Sequence, residues 1–297
     1  MSLTVLLIAS DWFVESAEKI GLSLGVSPFI IGVTIVAFGT SLPELATSII
    51  AVREGMSEVV IANVIGSNIT NILLVLGVTA VVAREIEMDF DVMDIDMPLL
   101  FGSAFLLYFA VMDLHFSIFE AVLFIGGIIA FVLNSVSGKK NLDFDRPKSN
   151  YKDYLKMIIG AVLVYFGAEY VIYGVQGGSN ELGIDPDLIA ITVIALGTSL
   201  PELVVSITAA RKGKTGLAIG NVLGSNMFNT FGVMGISGVV GNLLIPEQLL
   251  TFSIPFMIAV TILFGMISLS KKISFWEGSM MVAFYVFFIG TLIDKAI

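Results

Sequence analysis

The heptapeptide GTSLPEL occupies residues 39–45 and returns unchanged at 197–203. A second stretch, NVIGSNITN at 63–71, returns as NVLGSNMFN at 221–229, and Glu202 follows Glu44 by the same 158 residues that separate Asn229 from Asn71. About half of the aligned positions between Pro28 and Gly77 are identical, with no gap, so the two halves are copies of one unit. Whatever the chain folds into must hold that unit twice, each time with a proline and an acid inside an oily segment.

The oiliness is general. Of 297 residues, 57% are hydrophobic and 13% charged, with a mean hydropathy of +0.98, where soluble domains are about half apolar and a quarter charged. Apolar stretches near the roughly 20 residues that cross a bilayer recur along the chain. They predict an all-α membrane protein whose ten transmembrane helices cover 2–24, 28–53, 58–83, 95–113, 116–137, 152–178, 185–210, 215–242, 247–270 and 273–294. Strands of barrel length do not fit. Residues 1–137 form a first five-helix repeat, 138–151 a polar connector and 152–297 a second five-helix repeat. The start lacks the basic residues and cleavage site of a signal peptide. Met1 is therefore expected to belong to a first span shortened by trimming or a late initiation codon.

Lys and Arg set the orientation. Alternate joints place Lys19, Arg84, Lys139, Lys140, Arg146, Lys148, Lys152, Lys156, Arg211, Lys212, Lys214, Lys271 and Lys272 on one side, and only Arg53 and Lys295 on the other. The connector is then cytoplasmic and both termini are extracellular, in a multi-pass protein of the cell membrane. Five spans per repeat is an odd number, so the second copy enters upside down, the inverted-repeat plan of secondary transporters.

A net charge of −10 with no basic surface excludes nucleic acid. The absence of cysteine excludes disulfides and thiolate metal sites. The single histidine, His115, reads as an interfacial residue. An intramembrane enzyme lacks a nucleophile–base pair, and a channel would need no counter-gradient.

Glu44 and Glu202 lie deep in spans two and seven, where an ionised carboxylate costs about 2.5–3.5 kcal/mol on insertion scales. Pro43 and Pro201 cannot donate a backbone hydrogen bond, so carbonyls around 37–40 and 195–198 become available at two helix kinks. With the hydroxyls of Thr40, Ser41, Thr198 and Ser199 they make a set of hard oxygen donors suited to Ca²⁺ or Na⁺. Ser67 and Asn71 share a helix face, as do Ser225 and Asn229, and add further oxygens. Asn63, Asn68, Asn221 and Asn226 are expected to bond between helices, and Gly66 and Gly224 to permit close packing. Asp11 and Glu169, another repeat-related pair, read equally well as structural or as part of an ion path. Glu120 and Glu277 sit near span ends, where solvation is expected. With carboxylates and no cation at the predicted centre, the cargo is positive. One Ca²⁺ balances two carboxylates, several Na⁺ can occupy overlapping sites, and protons compete as pH falls.

These doubled motifs resemble the cation/calcium antiporter superfamily, specifically prokaryotic sodium/calcium exchangers, over essentially the whole chain. The resemblance implies four clustered ion sites, with Glu44 and Glu202 holding Ca²⁺ helped by the Thr40 and Thr198 carbonyls. It also implies Na⁺ sites at Ala37, Ser67, Glu44 and Glu202, and at Ala195, Ser199, Ser225 and Glu202. Exchange of three Na⁺ for one Ca²⁺ by alternating access, with spans one and six sliding across a fixed core, follows from the same likeness. No cofactor is implied; the ions are substrates, the bilayer is the other partner, and a monomer is expected to suffice. Asn229 departs from several relatives that resemble this chain but carry Asp, which argues against K⁺ co-transport. The GTSLPE motif favours Na⁺ over proton coupling, leaving a proton-coupled or K⁺-dependent antiporter as the alternative. The connector is too short for a calcium-sensing domain.

Overall fold

The structure, a computed structural model, describes residues 2–88, 96–137, 147–181 and 197–296. Eleven helices lie among them: α1 (Ser2–Ser23), α2 (Pro28–Thr40), α3 (Leu42–Arg53), α4 (Glu58–Ala83), α5 (Asp96–Ala110), α6 (Ile118–Ser137), α7 (Tyr151–Glu181), α8 (Leu200–Arg211), α9 (215–240), α10 (Leu249–Ser268) and α11 (Phe275–Ala296). Residues 138–146 of the connector and 182–196, the first half of span seven with Ala195, lie outside the described residues.

Local chemistry explains the ends. Ser27 accepts the Ile30 amide at 3.3 Å with Pro28 in the first position, a start signal for α2. Gly55 and Gly213, equivalent in the repeat, close α3 and α8 at φ +77° and +72°, a region that suits glycine. Glu120 accepts the Ser117 amide at 2.8 Å and Glu277 the Ser274 amide at 2.7 Å. These two acids therefore form capping boxes rather than being simply solvated, as the S-x-x-E spacing could have indicated.

α4, the bent pair α2–α3, α10, α11 and residues 118–135 of α6 are long and apolar enough to cross a membrane. α5 is a shorter apolar helix that ends at Ala110 instead of near 113, because the chain turns through Leu114 at φ 66°. α1 carries Asp11, Glu15, Glu18 and Lys19 along one stretch. Span two bends where its Gly/Pro motif implies: α2 and α3 meet at 41° across Ser41.

Among the described residues are four short strands that the all-helical reading does not include. β1 (Glu85–Glu87) pairs antiparallel with β4 (Lys272–Ser274), and β2 (His115–Phe116) with β3 (Leu243–Leu244). Ser57, just before α4, accepts the Leu244 amide at 3.1 Å, whereas Glu85 follows the other end of α4. The two ribbons therefore cap opposite ends of a helix of 26 residues, about 39 Å long. The repeat offset carries β1 onto β3 and β4 onto β2.

α4 and α9 form the centre, with Val60, Ile61, Val64, Leu73, Val222, Leu223 and Met227 fully covered. α2 packs on α9 at backbone distance. A methyl added at Gly32, Gly220 or Gly224 would overlap the carbonyl oxygens of Leu217, Phe29 and Val33 respectively. α1 and α7 pair in a similar way, since a methyl at Gly160 would press on the backbone of Phe13 and one at Gly167 on that of Leu6.

Candidate cation site

Both GTSLPEL segments break their helix at the serine. Ser41 (φ −92°, ψ 6°) and Ser199 (φ −88°, ψ 4°) leave the helical region, and new helices begin at Leu42 and Leu200 with proline and glutamate in the first turn. Pro suits that position because its missing N–H has no helical partner there, and the positive end of the helix dipole favours an acid. The sequence thus puts each carboxylate at a helix start inside the molecule.

Glu44 is 1% exposed and Glu202 0%. Neither has a basic partner; the ion pairs among the described residues involve other acids. Asn63 Nδ2 donates to the Glu44 carbonyl at 3.3 Å and Ser48 Oγ at 3.2 Å. Asn221 Nδ2 repeats the arrangement, at 3.5 Å to the Glu202 carbonyl and 3.0 Å to Ser206 Oγ. Ser48 and Ser206 are identical between the repeats, yet nothing else in the sequence points to their role as amide acceptors.

The two copies also interlock. Ser41 Oγ donates to Glu202 Oε1 at 3.1 Å, and Thr40 Oγ1 donates to Asn221 Oδ1 at 3.2 Å and lies 3.5 Å from Ser225 Oγ. From the other side, Thr198 Oγ1 lies 3.3 Å from Ser67 Oγ and 3.5 Å from Asn63 Oδ1. Asn63 joins the two sides, donating Nδ2 to the Glu44 carbonyl while its Oδ1 lies 3.5 Å from Thr198 Oγ1. The Ala37 carbonyl accepts the Ser41 amide at 3.0 Å and the Thr40 hydroxyl at 3.3 Å. The predicted residues from Ala37 to Glu44, with Ser67, Thr198, Glu202 and Ser225, are thereby brought to one place.

What they leave unpaired is informative. Buried polar atoms normally have partners, but both oxygens of Glu44, Glu202 Oε2, Ser199 Oγ and both amide atoms of Asn71 and Asn229 have no hydrogen bond of good geometry. Asn71 opens a π-helical turn, Asn71–Leu76, and Asn229 lies in another, Phe228–Val233. Such turns occur often at functional sites. Asn68 Oδ1, Asn226 Oδ1 and Ser237 Oγ are also unpaired, in residues outside the predicted set. The amide nitrogens of Asn68 and Asn226 bond to Thr230 Oγ1 at 2.8 Å and the Asn68 carbonyl at 3.3 Å, the interhelical role expected of them.

Among the described residues no three His, Cys, Asp or Glu cluster. The donors are two carboxylates, hydroxyls, amides and carbonyls, a set that favours hard cations. A cavity of about 700 Å³ runs from Val59, Leu249 and Leu292 inward to Ser67 and Thr198. Gly66 borders it, so the two repeat-related glycines differ: Gly224 packs against α2 and Gly66 lines open space. Asp11 pairs with Lys212 at 3.0 Å, whereas Glu169 lines the cavity.

The family described as "Sodium/calcium exchanger protein" matches residues 1–136 and 153–293. The sodium/calcium exchanger MaX1 of Methanosarcina acetivorans is 36% identical, covering 98% of this chain and 96% of its own length. An uncharacterized membrane protein of Methanocaldococcus jannaschii, MJ0091, is 32% identical over 98% of this chain and 96% of that protein. Among solved structures, the sodium-calcium exchanger NCX_Mj soaked with Na⁺ and Sr²⁺ superposes with a TM-score of 0.86 at 30% identity, over 97% of this chain and 95% of that one. Matched along both repeats, this chain belongs to the sodium/calcium exchanger family and is a multi-pass membrane transporter, not an enzyme.

Proposed function

We propose that the chain exchanges Na⁺ for Ca²⁺ across the cell membrane by alternating access, three Na⁺ for each Ca²⁺. The unpartnered carboxylate oxygens of Glu44 and Glu202 carry this reading. Buried acids without a basic partner are stabilised in their ionised form by cations in the space between them. Ca²⁺ takes both carboxylates with the oxygens of Thr40 and Thr198. Na⁺ uses the same acids together with Ala37 and Ser67 on one side, and Ala195, Ser199 and Ser225 on the other. Ser41, Asn71 and Asn229 complete the polar lining. Because the two ions compete for the same two charges, loading one expels the other, which couples their flows.

Ten spans in two inverted five-helix repeats support alternation, since a site midway between inverted copies can open to either face. The ribbons at opposite ends of α4, exchanged by the repeat offset, favour this inversion. The distribution of Lys and Arg favours extracellular termini and a cytoplasmic 138–151 connector. On that orientation the cavity leads outward. The glycine contacts between α1 and α7 let spans one and six move as a pair, and a monomer contains every residue the scheme needs.

Uptake of ⁴⁵Ca²⁺ into proteoliposomes under imposed Na⁺, K⁺ or pH gradients tests the coupling. An outward Na⁺ gradient alone should drive accumulation. Uptake driven only by the pH or K⁺ gradient would overturn it.

A further inference from the structure

Asp11 and Glu169 occupy the same register in the two repeats, one on α1 and one on α7. Symmetry gives them equivalent backbones but not equivalent neighbours. Asp11 is held by Lys212 at 3.0 Å, and Lys212 also holds Glu15 at 2.8 Å. The position equivalent to Lys212 in the first repeat is Glu54, so no lysine is available there for Glu169. Among the described residues Glu169 makes no ion pair or hydrogen bond. It lines the cavity together with Ser67 and Thr198, two residues of the candidate site.

Glu169 is exposed at the cavity wall, and an unpaired acid in a membrane protein is tolerated where water reaches it. A single negative charge in a cleft with low-dielectric walls raises the local concentration of cations. We propose that Glu169 collects cations in the cavity on their way to the paired glutamates. It is a positioning residue for transport and not a ligand of the central site. The inference rests on the exchange reading. It also accounts for the broken symmetry: the cavity face keeps its acid free, and the other face ties the equivalent acid to a lysine.

The test is Na⁺-driven ⁴⁵Ca²⁺ uptake by full-length protein in oriented proteoliposomes, with Ca²⁺ varied on the cavity face at ionic strengths of about 20 mM and about 500 mM set by choline chloride. Glu169→Gln should raise the KM for Ca²⁺ about three- to tenfold at low ionic strength, with little difference at high ionic strength and an unchanged maximal rate. Glu169→Asp should restore the low KM, Glu169→Lys should raise it further, and KM on the opposite face should not move. An unchanged KM in Glu169→Gln, a rise that ignores ionic strength, or a fall in maximal rate alone would overturn the proposal. Wild-type protein that fails to take up Ca²⁺ under a Na⁺ gradient would instead defeat the exchange reading.

Discussion

At the scale of single residues, the two glutamates could be recognised from sequence because nothing bland explains an acid beside a proline in an oily segment, twice. Their surroundings were less legible. That Ser41 reaches across to Glu202, or that Asn63 and Asn221 hold the acid-bearing helices by the Glu44 and Glu202 carbonyls and the Ser48 and Ser206 hydroxyls, depends on which helices meet. Sequence spacing within one helix carries no such information. Asn229 is the residue where a single change tells most. Its amide is buried without a partner, and Asn229→Asp adds a third carboxylate to the proposed site. We expect it to shift ion preference and to make transport fall at a higher pH than in wild type, because added negative charge strengthens proton binding to its neighbours. Expression should be unchanged. Identical ion and pH profiles of ⁴⁵Ca²⁺ uptake would remove Asn229 from the site.

At the scale of elements, the kinks were expected and the π-helical turns were not. Proline marks the first on paper, whereas the turns at Asn71–Leu76 and Phe228–Val233 have no residue signature and arise from how a helix accommodates its neighbours. Close packing of glycines was expected at both Gly66 and Gly224, but only Gly224 faces another backbone, that of Val33. Gly224→Ala should push α2 away from α9 and destabilise the protein by about 1–3 kcal/mol, the usual cost of overpacking. Gly66→Ala, placed against the cavity, should be milder. Thermal unfolding of the two purified variants in detergent checks the ordering, and equal losses would show that α2 gives way without strain.

At the scale of the whole molecule, the repeat offset was fully readable, and with it the presence of two like units. What the offset could not reveal is which partners the unlike positions meet. Lys212 and Lys214 tie α1 to the end of α8 through Asp11, Glu15 and Glu18, while the equivalent positions in the first repeat are Glu54 and Met56. Exchange depends on Glu44 and Glu202 forming a single negative centre that cations occupy. Equilibrium binding of ⁴⁵Ca²⁺ to purified protein over rising Na⁺ concentrations addresses it most directly. Wild type should bind one Ca²⁺ per chain and lose it to Na⁺ with a Hill coefficient above 1, and folded Glu44→Gln or Glu202→Gln protein should bind none. Ca²⁺ binding that persists in either variant, or that Na⁺ leaves untouched, would contradict it.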